Sequence, residues 1–296
     1  RESADSQHLD SLAKRVASSF IDRYYYSDEY NREHIHLLCE MATHFADESL
    51  NQIAARTLFG TVIERLCDDF EELQTETYNR LICQVVNYLC HIPEGKEMKS
   101  ELYSFHLRTE EQLYQRIESI RLTPDRKLSG IVRPKKILIL SRVTIGADVA
   151  ITSVICQRVA QFYPDAEIVV IGNGKLKQIF ARESNIQVHE LNYARRGGLV
   201  EKFQIWLQLL TEVRRIIANL SSVEFVILDP DSRLTQLGVL PLVPLPNYRF
   251  FNSRGKQGTS KHASMAQLTN QWLDNILGNK EFCYPKVWPI ASNLQS

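Results

Sequence analysis

Lys135-Lys-Ile-Leu-Ile-Leu-Ser-Arg-Val-Thr-Ile-Gly-Ala-Asp-Val-Ala-Ile-Thr152 is the stretch that decides the fold. Ile137 to Leu140 is a short unbroken apolar run, the pattern of a strand buried on both faces of a parallel sheet. Gly146 closes a polar turn, and Val149, Ser153, Cys156, Val159 and Ala160 then recur at helical spacing until Pro164. A second apolar run, Ile168 to Ile171, follows Tyr163-Pro-Asp-Ala-Glu167. Strand, turn, helix and strand make a βαβ unit, which places the first turn at the carboxyl edge of the sheet, where open α/β folds bind ligands. The acidic residue of that turn is Asp148.

The same alternation continues downstream. Gly172-Asn-Gly174 reads as a turn, Lys175 to Ala181 as a short helix, and Ile186 to Leu191 as a strand. Leu199 to Leu220 is a long amphipathic helix, and Phe225 to Leu228 a buried strand that stops at Asp229-Pro230-Asp231. Such alternation predicts a Rossmann-like, doubly wound parallel sheet. Pro241-Leu-Val-Pro-Leu-Pro246 excludes regular structure, Tyr248 to Phe251 is a further strand, and Arg254 to His262 is a basic, glycine-containing loop. Ser264 to Leu277 is the last helix, stopped by Gly278. The remainder, with Pro285, Trp288 and Pro289, shows no periodicity and reads as a tail or linker toward another domain.

Upstream, residues 1–123 read as one helix after another. Leu9, Leu12, Val16 and Phe20 form one stripe, and Ile35, Leu38, Ala42 and Phe45 a second. Leu50, Ile53, Ala54, Leu58, Val62 and Leu66 form a third; Tyr78, Leu81, Ile82, Val85, Val86 and Leu89 form a fourth. Pro93-Glu-Gly95 breaks the chain before two further helices at 96–106 and 109–121. The pattern predicts an all-α bundle. The expected organisation is a helical bundle at 1–123, a linker at 124–134 rich in Pro, Gly and charge, a Rossmann-like domain at 135–280, and a tail at 281–296.

The net charge of zero is a cancellation. Residues 1–123 hold 13 Lys/Arg against 22 Asp/Glu and the remainder 22 against 13, so the two parts carry −9 and +9. They meet different partners, and residues 1–123 are expected to serve oligomerisation, recognition of a protein partner or support. The basic part lacks an aromatic-interleaved stripe, so nucleic acid is not an expected partner. Six cysteines without C-x-x-C spacing suit buried free thiols of a reducing compartment. No apolar run reaches the roughly 18 residues of a spanning helix. The expectation is therefore a cytoplasmic chain, with peripheral attachment at an inner membrane face allowed. His34, His36, Cys39 and His44 only loosely meet the i, i+4 spacing of helical ligands, so no metal is expected, and no cofactor either.

Several motifs in order resemble one family. The first strand followed by Gly146-Ala-Asp-Val149 and Thr152, the Tyr-Pro-Asp-Ala-Glu-Ile exit, the strand ending Leu228-Asp-Pro-Asp-Ser-Arg-Leu-Thr-Gln-Leu-Gly238, and Lys261-His-Ala263 before the last helix resemble the acceptor-side domain of heptosyltransferase-type glycosyltransferases. The resemblance covers roughly residues 135–290. It implies the first half of a two-Rossmann GT-B fold and inverting transfer of a heptose-like sugar from a nucleotide-sugar to a glycan, glycolipid or protein acceptor. It implies Asp148 as the catalytic base, although this chain has one extra residue between glycine and aspartate. Arg142, Thr144 and Gly146 would line the acceptor side of that turn, Asp229, Asp231 and Arg233 the end of the later strand, and His262 the head of the last helix. The second, donor-binding domain would lie outside the 18 residues that follow Gly278.

Chemistry alone is compatible with this. An inverting transfer needs a base that takes the acceptor hydroxyl proton, and a carboxylate in a βα turn is well placed. An aspartate there also reads as a helix N-cap, and Asp-Pro-Asp as a plain turn. Arg195, Arg196, Arg254 and Lys261 could clamp phosphate groups of an anionic acceptor, or simply be solvated. A dinucleotide-binding reading lacks G-x-G-x-x-G after the first strand. The reading from another class is a non-catalytic binding or scaffolding module.

Overall fold

A computed structural model describes residues 2–68, 72–122, 127–128, 133–180, 185–191, 197–254 and 263–288. The chain forms two compact units, residues 1–117 with 194–205 and residues 118–193 with 206–296. The first unit thus takes in the start of the long amphipathic helix, which sequence periodicity alone assigned to the sheet domain.

The helical unit contains α1 (Glu2–Ser27), α2 (Arg32–Met41), α3 (Glu48–Thr57), α4 (Glu64–Asp68), α5 (Glu72–Leu89) and α6 (Lys96–Ser104), with α7 (Glu110–Leu122) beginning in it. The expected stripes are the buried faces: Phe20, Ile35, Leu38, Leu58, Leu66, Leu81 and Val85 are all fully enclosed. Asn31 and Asp47 cap α2 and α3 by accepting from the His34 and Ser49 amides. A π-helical turn, Leu58–Ile63, links α3 to α4, so the third stripe is continuous through a widened turn. Pro93–Gly95 forms a single 3-10 turn at the expected break.

The second unit is built on a five-stranded sheet of β1 (Lys136–Leu140), β2 (Glu167–Gly172), β3 (Ile186–Glu190), β4 (Phe225–Asp229) and β5 (Tyr248–Phe250). Strand order is β3-β2-β1-β4-β5 and every pair is parallel. The chain builds outward from β1 to β3, then returns to the other side of β1 to place β4. The topological switch point therefore lies between β1 and β4, paired from Lys136↔Phe225 to Ile139↔Leu228. Ile137, Leu138, Ile139 and Leu140 are all buried, as a strand covered on both faces requires.

Helices α8 (Ile145–Ala147), α9 (Ser153–Phe162), α10 (Lys177–Phe180), α11 (Leu199–Ile217) and α12 (Met265–Leu277) complete the chain. Val154, Ile155, Val159, Trp272, Leu273 and Ile276 pack with β1, β2 and β4 residues in one core. Ser264 and Gln267 close a capping box at the start of α12, and Gly278 ends it at φ 74°.

Residues 281–288 do not lead away as an aperiodic linker would. Arg158 of α9 has no exposed side-chain surface and donates to the Asn270 and Asp274 side chains, to Asn279, and to the Glu281 carbonyl. The Cys283 amide donates to Asn270, Gln157 donates to the Tyr284 carbonyl, and the Lys286 amide donates to Ser153. Trp288 bridges to Phe180 and is 6% exposed. The segment lacks periodicity because its hydrogen bonds go to side chains and helix ends rather than to a repeating ladder.

Candidate functional site

The turn after β1 is held by one carboxylate. Asp148 accepts from Ser141 Oγ at 2.7 Å, the Arg142 amide at 2.8 Å and Thr152 Oγ1 at 2.8 Å, and is 2% exposed. Burial pushes its pKa up, partly offset by these three donors and by the Arg142 charge. The N-cap position belongs to Thr144, whose side chain makes no capping bond, and Asp148 lies one turn inside the helix. Capping is thus not the role of this aspartate. Asp148–Thr152 forms a π-helical turn between α8 and α9. The widened turn begins at Asp148 itself, with Ala147 as the residue before it.

Val143 adopts φ 74° in this turn, a left-handed conformation rare for a β-branched residue. Its amide donates to Ser141 Oγ at 2.9 Å. The turn also needs Gly172 at the end of β2, where a Cβ would stand 2.4 Å from Ser141 Cβ. Thr144, Ile145 and Gly146 form the exposed rim.

A second turn follows β4 across the switch point. Asp229 is fully buried and accepts from the Ser232 amide at 2.7 Å, Thr235 Oγ1 at 2.6 Å and Tyr248 OH at 2.5 Å. Burial raises its pKa to about 6 against the lowering effect of those donors. Ser232 Oγ donates to the Ser141 carbonyl at 2.5 Å, tying the two turns together. Asp231, at φ 65°, turns away from Asp229 toward the arginines. Ser253 Oγ donates to Asp231 Oδ2 at 2.6 Å and accepts from Arg142 Nη1 at 2.9 Å. Arg142 Nη2 and Arg254 Nε lie 3.6 and 3.3 Å from the same Asp231 oxygen.

The carboxyl ends of β1, β4 and β5 therefore bring together Arg142, Asp148, Asp229, Asp231 and Arg254, residues separated by up to about a hundred positions in the chain. Arg142 and Arg254 set two guanidinium charges against the one carboxylate they share, and their side chains are 10% and 4% exposed. Burial lowers the Arg142 pKa, with the Asp231 charge acting to raise it. Arg233 begins a 3-10 turn, Arg233–Thr235, on the same loop as Asp231 and is partly exposed. Arg195, Arg196, Lys261 and His262 lie outside the described residues. Sequence reasoning missed Ser141, Thr152, Ser232, Thr235, Tyr248 and Ser253. Only Thr152, four residues after Asp148, and the Ser and Thr of Asp229-Pro-Asp-Ser-Arg-Leu-Thr235 carried a local signal.

No family model, curated protein or solved structure matches this chain. Among the described residues no helix is long and apolar enough to cross a membrane.

Proposed function

We propose that the sheet unit is the acceptor-side half of an inverting glycosyltransferase of the heptosyl-transfer type, acting with a nucleotide-sugar bound by a second, GT-B-like domain. The observation that carries this reading is the meeting of Arg142, Arg254, Ser253 and Asp231 beside the Asp148 turn at the switch point. Arginine pairs with phosphate in bidentate fashion, so a phosphate-bearing sugar would take the place of the Asp231 carboxylate against these two nearly buried guanidinium groups. A phosphorylated glycolipid is the acceptor class that fits, and it would draw the chain peripherally to a membrane surface.

Asp148 is the base. Its Oδ1 accepts from two donors and its Oδ2 from one among the described residues, so Oδ2 keeps a lone pair for an incoming proton. Its raised pKa favours proton uptake. The acceptor oxygen attacks the anomeric carbon from the face opposite the leaving group, the carbon–oxygen bond to the nucleoside diphosphate breaks with its electron pair, and Asp148 takes the hydroxyl proton.

The depth of Asp148, 2% exposed with three donors, favours a second reading: an anion-binding module without catalysis, in which Asp148 only holds the turn. Calorimetric titration with a phosphorylated core oligosaccharide and its dephosphorylated counterpart tests the binding shared by both readings. Arg142→Ala should abolish the preference for the phosphorylated form, and equal affinities for the two sugars would sink the site. Transfer measured in a chain that includes a nucleotide-sugar-binding domain separates the readings. Asp148→Asn should lower turnover by about 10² with acceptor binding retained, whereas unchanged turnover leaves only the binding module.

A further inference from the structure

The helical unit carries a groove that the sugar chemistry above does not use. It encloses about 530 Å³ and is lined by Leu37, Glu40, Met41, Thr43, His44, Phe45, Tyr88, Ile92, Pro93 and Glu94. Helices α2 and α5 end here at Met41 and Leu89, so both present their partially negative carboxyl ends to it. The two lining carboxylates, Glu40 and Glu94, are exposed, and the lining contains no Lys or Arg. His36 Nε2 stands 3.4 Å from Glu40 Oε1, with both side chains about half exposed, and its ring packs edge-on against Tyr88 at 5.4 Å.

The floor is apolar and partly aromatic. Met41 is buried, while Leu37 is 37% exposed and adds an apolar side chain to the face of α2 that also carries the exposed Glu40. Thr43 Oγ1 donates to the Cys39 carbonyl at 2.9 Å and meets Tyr88 OH at 2.7 Å, which fixes the Tyr88 ring at the groove wall. A cation on an apolar stem matches each part: its stem covers Leu37 and Phe45, and its charge meets Glu40, Glu94, the helix ends and the Tyr88 ring.

We propose that this groove docks a basic, leucine-containing peptide segment of a partner protein, with an arginine or lysine side chain seated between Glu40 and Glu94. Charge complementarity identifies the occupant, because an acidic rim over an apolar floor rejects an anionic or purely polar segment.

Fluorescence anisotropy of the whole chain with labelled acetyl-Leu-Arg-Leu-Leu-Arg-Leu-amide tests this, with the peptide bearing glutamate in place of arginine as comparison. Saturable binding of the basic peptide alone is expected. Glu40→Lys with Glu94→Lys should weaken it at least about tenfold, and Leu37→Ser about threefold. Glu64→Lys with Glu111→Lys, which shifts net charge equally but lies off the groove, should change it by less than about twofold. Glu40→Gln with Glu94→Gln covers the case in which the reversed pair lowers the melting temperature, and it too must weaken binding. Equal loss in the groove and off-groove pairs, equal binding of the acidic peptide, or no saturable binding would each overturn the proposal.

Discussion

The turns that follow β1 and β4 are built on one plan and finished differently. Each has an aspartate that accepts three hydrogen bonds, Asp148 in the first and Asp229 in the second, and each has a non-glycine residue in left-handed conformation, Val143 and Asp231. In the β4 turn the two tasks are divided. Asp229 holds the backbone from inside, which frees Asp231 to face Arg142 and Arg254. In the β1 turn Asp148 is the lone carboxylate, so fixing the turn and any chemistry fall on the same side chain. A buried carboxylate that satisfies its own loop is the means by which a second buried one is left for the two arginines.

Removing the inner acceptor breaks this parallel most severely. Asp229→Ala leaves the Ser232 amide, Thr235 and Tyr248 without their acceptor and should cost about 3 kcal/mol in urea unfolding at neutral pH. A loss under about 1 kcal/mol would show that Asp229 is not the support of the β4 turn.

The same residue sets a pH dependence. Its folded-state pKa of about 6 lies above the ordinary carboxylate value of 3.8, so the folded protein holds a proton that the unfolded chain has released. The proton-linked part of the stability is therefore full below about pH 4 and falls as pH rises through 6, by about 3 kcal/mol. Unfolding free energies of the wild type and Asp229→Asn between those pH values should converge or cross accordingly. Parallel pH profiles would remove the buried-charge account of this turn.

Asp148→Asn should cost less, about 1–2 kcal/mol, because the amide retains one accepting oxygen while its nitrogen faces a donor. A cost equal to that of Asp229→Ala would mean the two turns are equally structural. Smallest is Val143→Gly, expected to stabilise by about 0.5–1 kcal/mol through release of the left-handed strain. Destabilisation in chemical unfolding would show that the valine side chain outweighs its backbone cost.

Most of the fold was legible in the chain. Four-residue apolar runs such as Ile137 to Leu140 announce strands because burial on both faces tolerates no polar alternation, and the helical stripes end at Pro93, Pro164 and Gly278 for local steric reasons. The site was legible in its charged members, Arg142, Asp148, Asp229, Asp231 and Arg254, but not in the hydroxyls that hold them. Arg142 and Ser253 are 111 residues apart and meet because β4 and β5 are laid side by side on the far side of β1, a placement that no local pattern encodes. The π turn at Asp148 carried no signal in the apolar periodicity of the chain. The groove beside α2 had no sequence signal, since its walls come from two helix ends brought together by packing.

Arg158 has a practical consequence for where this protein can be cut. Its guanidinium joins α9 to α12 and to residues 279–281, and from there the chain runs as a strap that seats Cys283 and Trp288 against the core. A fragment ended after Gly278, where helical periodicity stops, would strip cover from Phe180 and leave Arg158 a buried cation short of three acceptor atoms. Such a fragment should aggregate on expression, while one ended beyond Trp288 should stay dispersed, and a protease should enter between 279 and 288 only after the strap has peeled away.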